Sequence, residues 1–205
     1  MIRRGRGTPE RRLPTRTFSL FLSGQTLSQF GDRLNHMALI MLVGVGRDTA
    51  SGSMALAQLA VATALPVVLV GPIAGVLVDR WDRRRTLISC DVVRALLIAS
   101  VPLVYWWLGG VWVIYVIVFS VFLTTLLYNC AKTATLPDIV SPGHLLAANA
   151  VLTSVGRVAT VTGIVFGGLI VEWAGWRRLH IEGYTAAFLL DAATYVCSAL
   201  ALWAV

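Results

Sequence analysis

Gly75-Val76-Leu77-Val78-Asp79-Arg80-Trp81-Asp82-Arg83-Arg84-Arg85 is a run of charge set between two long apolar stretches. Residues 54–77 before it carry no charged side chain, and residues 86–107 after it carry only Asp91 and Arg94. A helix needs about 20 apolar residues to cross the hydrocarbon of a bilayer, so each stretch is long enough to span. The charged segment therefore reads as a tight hairpin loop between two membrane helices. Arginines beside membrane ends favour the cytoplasmic side, which places Arg80, Arg83, Arg84 and Arg85 inside.

Working outward, the composition agrees. Of 205 residues, 57% are hydrophobic and 13% charged, whereas roughly a quarter of a soluble domain is charged. An ordinary water-soluble domain is excluded. The net charge of +7 comes largely from Arg3, Arg4, Arg6, Arg11, Arg12 and Arg16 in the amino-terminal tail and from the hairpin arginines. Membrane orientation accounts for them without nucleic acid as a partner. Cys90, Cys130 and Cys197 lie in apolar runs without paired ligand spacing, so neither a metal site nor a disulfide framework is expected. No nucleotide-binding loop is present, no cofactor is implied, and no bond chemistry is expected, so the chain does not read as an enzyme.

The fold class expected is an all-α membrane protein: a basic cytoplasmic tail over residues 1–17, then six spans at about 18–45, 54–77, 86–107, 111–133, 145–171 and 184–205. A cleaved secretory signal does not fit the first run, which Gln25, Gln29, Asp32 and Arg33 interrupt. Gly46, Arg47, Asp48, Ser51 and Gly52 have the chemistry of an outer turn. Pro66 and Pro72 predict bends in the second span, and Gly71 and Gly75 predict close helix approach. Gly109 and Gly110, near Trp106, Trp107 and Trp112, mark the next outer turn, and Pro137, Pro142 and Gly143 break the chain into a cytoplasmic loop over residues 136–143. Trp173 and Trp176 belong to a last outer loop, whose Arg177 and Arg178 are outweighed by the cytoplasmic arginines. Both ends of the chain then lie inside.

Polar residues within the spans carry the functional signal. Gln25, Gln29, Asp32 and His36 follow one another at spacings of four, three and four and so share a helix face. Asp32 falls near mid-bilayer, where a lone charge is costly. It is either a proton-coupling or substrate-contacting carboxylate, with His36 as relay, or half of an internal ion pair with Arg33 or Arg157. Asp91 and Arg94, three apart, can meet on one face with a structural role. Tyr128 and Asn129 are candidate ligand contacts or helix-to-helix bonds, and Lys132 is expected to snorkel to the interface. Ala159, Gly163, Gly167 and Gly168 form a small-residue face for helix packing, and Arg157 is placed to meet an anionic substrate or Asp32. Asp191 reads as a structural hydrogen-bonding carboxylate.

The hairpin resembles the loop between helices 2 and 3 of the major facilitator superfamily, on Gly75, Leu77, Asp79, Arg80, Arg83 and Arg84. In that superfamily this loop, with charges at the start of helix 3, latches the inward-closed state, which implies gating roles for Asp79, Asp91 and Arg94. The glycines of the fifth span are similar to the glycine-rich motif of the superfamily's antiporters, with Ile164 where they carry proline. Phe30-Gly31-Asp32, Leu136-Pro137-Asp138, Ala148-Asn149-Ala150 and Phe188-Leu189-Leu190-Asp191 together resemble the macrolide and enterobactin exporter branch.

The resemblance covers nearly all of the chain after Phe18 and implies the amino-terminal six-helix half of an inner-membrane exporter. It implies exchange of protons, or another coupling ion, for amphipathic small molecules by alternating access. The pathway would be lined by Gln25, Gln29, Asp32, His36, Asn129 and Arg157. The partners expected are the lipid bilayer, the substrate, the coupling ion and a second six-helix half, from another chain or a second copy. A truncated or non-transporting partner of a full-length transporter, and a nutrient importer of the same fold, are the alternatives.

Overall fold

A computed structural model describes residues 15–44, 49–108, 111–173, 175–178 and 182–204. The tail before residue 15, the turn at 46–48, Gly109 and Gly110 lie outside the described residues. Six long helices form the body: α1 (Thr15–Gly44), α2 (Thr49–Val78), α3 (Arg83–Leu108), α4 (Val111–Ile139), α5 (Leu145–Glu172) and α7 (Gly183–Trp203). A short α6 (Gly175–Arg178) and a single 3₁₀ turn (Pro142–His144) complete the described structure. Hydrocarbon offers no hydrogen-bond partner, so apolar segments of this length satisfy their backbones internally as helices.

Five of these helices are long and apolar enough to cross a membrane: Ala50–Val78, Arg83–Trp107, Trp112–Ile139, Pro142–Glu172 and Gly183–Trp203. The helix α1 is equally long at 30 residues, but its many polar side chains, Gln25, Gln29, Asp32, Arg33 and Asn35 among them, keep it out of that set. It nevertheless packs inside the bundle, against α7 and α5. The remaining main contacts join α7 to α3, α3 to α4 and α4 to α2, with a lighter contact from α2 back to α1, so α5 sits on the α1 side of a closed ring. Large apolar side chains such as Val68, Ile73, Leu96, Val158 and Leu169 point outward. Such a surface suits lipid and neighbouring helices, and the chain is an integral membrane protein. Exposed Trp106, Trp107, Trp112 and Trp173 occupy one end of the bundle, as interfacial tryptophans do.

The hairpin itself is tight. Asp79 N–H donates to Gly75 O (3.0 Å) and Trp81 N–H to Val78 O (3.0 Å), closing α2 within a turn. Asp82 then caps α3, its Oδ1 accepting from Arg85 N–H at 2.8 Å. This satisfies one of the otherwise unpaired amides of the first turn. Arg83 donates to Ala134 O (2.7 Å) and pairs with Asp138 (2.6 Å), while Arg84 Nε donates to Leu202 O (3.1 Å) and its Nη2 to Trp203 O. Two hairpin arginines thus hold the carbonyl ends of α4 and α7.

Four details differ from the sequence reading. Ser51 and Gly52 lie in the first turns of α2, not in a loop; in apolar surroundings the need to bond the backbone outweighs the roughly 1 kcal/mol helix cost of one glycine. The helix α4 runs through Leu136, Pro137 and Asp138 to Ile139. Proline near a helix end forfeits one hydrogen bond, and Arg83 caps a neighbouring carbonyl. Among the described residues, no group other than their own helix lies within 4 Å of where a Cβ of Gly71 or Gly75 would stand, so these glycines do not serve a close helix contact there. Gly168 is equally open, whereas Gly163 lies against α1, where an added Cβ would come within 2.7 Å of Arg33 Cβ and 2.9 Å of Phe30 O.

Two substitutions check this account. Asp82→Ala lowers stability by about 1 kcal/mol and Asp82→Asn by much less, read from unfolding midpoints in mild detergent. Gly163→Ala costs about 1–3 kcal/mol through overpacking against α1, while Gly168→Ala stays within about 0.5 kcal/mol of the parent in the same measurement.

Candidate functional site

Two neighbouring constellations occupy the interior, and both are reached from the polar face of α1. The first centres on Arg94, whose side chain is 1% exposed. Its guanidinium pairs with Asp91 one turn earlier and faces Asp32 of α1 at 3.8 Å. The rings of Tyr128 from α4 and Tyr195 from α7 lie over it, with centroids at 4.1 and 4.4 Å. Stacking on aromatic faces suits a weakly hydrated guanidinium held away from water. Tyr195 OH donates to Asp32 Oδ1, and Gln25 Nε2 donates to Tyr128 OH at 2.5 Å. One cation therefore ties α1, α3, α4 and α7 together.

Asp191 is fully buried on α7, within electrostatic range of Asp32 and Arg94. Thr194 Oγ1 donates to its Oδ1 at 3.4 Å. Gly31 makes this packing possible, since a Cβ there would collide with Asp191 Oδ1 and Thr194 Oγ1. Arg94 Nε, Asp91 Oδ2 and Asp191 Oδ2 are buried without a hydrogen-bond partner. Arg94 is thus shared by Asp91 and Asp32, while the buried Asp191 stands nearby on α7 and is held by Thr194.

The second constellation is a cavity of about 340 Å³ between α1, α4 and α5, bordered by Gln29, Lys132, Asn149, Thr153, Gly156 and Arg157. Gln29 rests on Gly156, where a Cβ would strike its amide oxygen. Spacing alone correctly places Gln25, Gln29 and Asp32 toward the interior, but the structure distributes them. Gln25 and Asp32 join the Arg94 cluster, and Gln29 borders the cavity. His36 is half-buried and bonds neither Asp32 nor any other described side chain, so the relay pair is not assembled. Tyr128 turns inward while Asn129 is exposed, separating two residues that the sequence reading grouped.

Asp32 pairs with Arg94, not with Arg33 or Arg157, which are both exposed. Asp91 and Arg94 lie in the bundle interior and not at the hairpin gate, because α7 packs over that face of α3. Of the expected gating residues, Asp79 and Arg80 are exposed at the turn, and Arg83 and Arg84 bind α4 and α7 of the same bundle. Tyr195 and the meeting of Asp191 with Asp32 escaped the sequence reading. The available signal was Asp191 and Tyr195 standing four apart in an otherwise apolar span.

The sequence model of the family described as transmembrane secretion effector, within the major facilitator superfamily, matches residues 12–205. The chain belongs to this family. Its relatives include YfiS of Bacillus subtilis, an uncharacterized MFS-type transporter, 28% identical over 150 residues that make up 73% of this chain and 34% of the relative. Uncharacterized MFS-type transporters of Mycobacterium bovis and Mycobacterium tuberculosis are each 40% identical over 84 residues, 41% of this chain and 19% of theirs. The matched part thus spans about a third or less of these relatives' length. No solved structure gives a significant match. Membership of this family supports a role in membrane transport in general.

Replacing Arg94 by Ala leaves Asp91 without its cation and costs about 3–5 kcal/mol. Loss of monodisperse protein on gel filtration reads this, and Arg94→Lys retains the charge but loses the stacked fork, giving an intermediate yield.

Proposed function

We propose that this facilitator chain acts in proton-coupled efflux of amphipathic small molecules, drug-like or siderophore-like, across the bacterial inner membrane. The observation that carries the reading is the pairing of Arg94 with both Asp32 and Asp91 at the centre of the bundle, with the buried Asp191 beside them. A proton entering the cluster relieves like-charge repulsion and weakens the tie between α1 and α3. Coupling ions in transporters act by changing such ties during alternating access. Asp32 is the carboxylate best placed to exchange that proton, because it is partly exposed while Asp91 and Asp191 are buried.

All six long helices cross the membrane in this reading, with the amino terminus and the hairpin arginines in the cytoplasm. The polar face of α1 needs burial against other helices or water, which the bundle and the cavity supply. A second six-helix half closes the open side of α1, α4 and α5 and completes the pathway. Gln25, Gln29, Asp32, His36, Asn129 and Arg157 remain the proposed pathway residues. Asp79 and Arg80 are the hairpin charges proposed to engage that half, since Arg83 and Arg84 already hold α4 and α7.

The test is efflux of fluorescent amphipathic compounds of either charge, cationic ethidium and anionic anilinonaphthalenesulfonate, from cells carrying the chain, with and without collapse of the pH gradient. Wild-type efflux stops when the gradient is collapsed, and Asp32→Asn removes the gradient dependence while the protein remains in the membrane. Efflux insensitive to the gradient, or an Asp32→Asn variant with unaltered pH dependence, overturns the coupling role. Gradient-driven accumulation in place of depletion identifies import.

A further inference from the structure

We infer that the cavity between α1, α4 and α5 is an anion site, taking the carboxylate, phosphate or sulfonate group of an amphipathic organic molecule. The inference rests on the transport reading and narrows its substrate class. Lys132 of α4 and Arg157 of α5 both border the cavity, and no aspartate or glutamate does. The ion pairs among the described residues are Arg83 with Asp138 and Arg94 with Asp32 and Asp91, so neither cavity cation is paired. Asp32 is within electrostatic range of Lys132, but its carboxylate is engaged by Arg94 and Tyr195.

Arg157 is exposed on a helix that is otherwise apolar enough to cross the membrane. A cation there facing lipid would cost about 3 kcal/mol even on the mildest scale. A counter-anion in the cavity removes that cost. The guanidinium fork matches a two-oxygen anion, and the lysine adds a mobile point charge. Gln29, Asn149 and Thr153 offer neutral hydrogen bonds around the same space, and Leu136 and Leu152 give it an apolar wall. Polar groups and leucines lining one cavity select a molecule with a charged head and an apolar body. The volume, about 340 Å³, lies at the small end of ligand sites and fits a head group with part of its body.

The experiment measures binding, so it can fail without touching the efflux result. Pyrenebutyrate and its neutral amide are titrated into the chain in phosphatidylcholine nanodiscs, with empty discs subtracted. The acid is expected to bind at least about tenfold more tightly than the amide. Combined Lys132→Gln and Arg157→Gln brings the two to parity, while Lys132→Arg keeps the preference and shows that the bundle is intact. Equal affinities in the parent, or a preference that survives the double substitution, overturns the inference. Discs containing phosphatidylglycerol, in salt that screens their surface, separate two sources of the anion. Loss of the acid's preference there assigns the site to a lipid head group, and its persistence assigns it to a soluble amphipathic anion.

Discussion

A guanidinium buried in a membrane bundle is tolerated only where carboxylates and aromatic faces replace its water, and Arg94 imposes that requirement on four helices at once. Asp91 comes from its own helix, Asp32 from α1, Tyr128 from α4 and Tyr195 from α7. Few of the side chains around it are interchangeable. Gly31 belongs to the same requirement, because only a residue without Cβ lets α7 bring Asp191 and Thr194 against α1. Stability and candidate function are therefore vested in the same atoms, because the Asp32–Arg94 pair also joins α1 to α3.

The hairpin does comparable work at its end of the bundle. Its arginines were expected to fix orientation and to latch a partner half. Arg83 and Arg84 instead reach carbonyls at the ends of α4 and α7, where helix dipoles and unpaired oxygens favour cations. Orientation and capping are compatible uses of one charge, since both need it at the membrane edge. The exposed pair Asp79 and Arg80 is left for contacts beyond the bundle.

The face formed by α1, α4 and α5 has a different character from the ring's interior. There the side chains are polar, and among the described residues Lys132 and Arg157 border a cavity that no carboxylate lines. A wall made this way is suited to meeting something outside the bundle. The glycines of α5 divide accordingly: Gly163 and Gly167 seat α1, Gly156 seats Gln29, and Gly168 stands open.

Hydropathy and arginine placement in the sequence were sufficient to determine the all-helical membrane class, the hairpin and the polar face of α1, because these depend on local length, charge and periodicity. Helix ends were less legible: α4 continues through Pro137, and Arg83, 51 positions before Ala134, caps the Ala134 carbonyl. Partner choice lay further out of reach. Asp32 could be assigned a need for a cation but not the cation: the sequence offered Arg33 and Arg157, and Arg94 was matched only with Asp91. Only the packing of α3 against α7, and of α7 against α1, decided for Arg94 and left Arg157 to the open cavity. Periodicity states which way a side chain points, and tertiary structure alone states what stands opposite it.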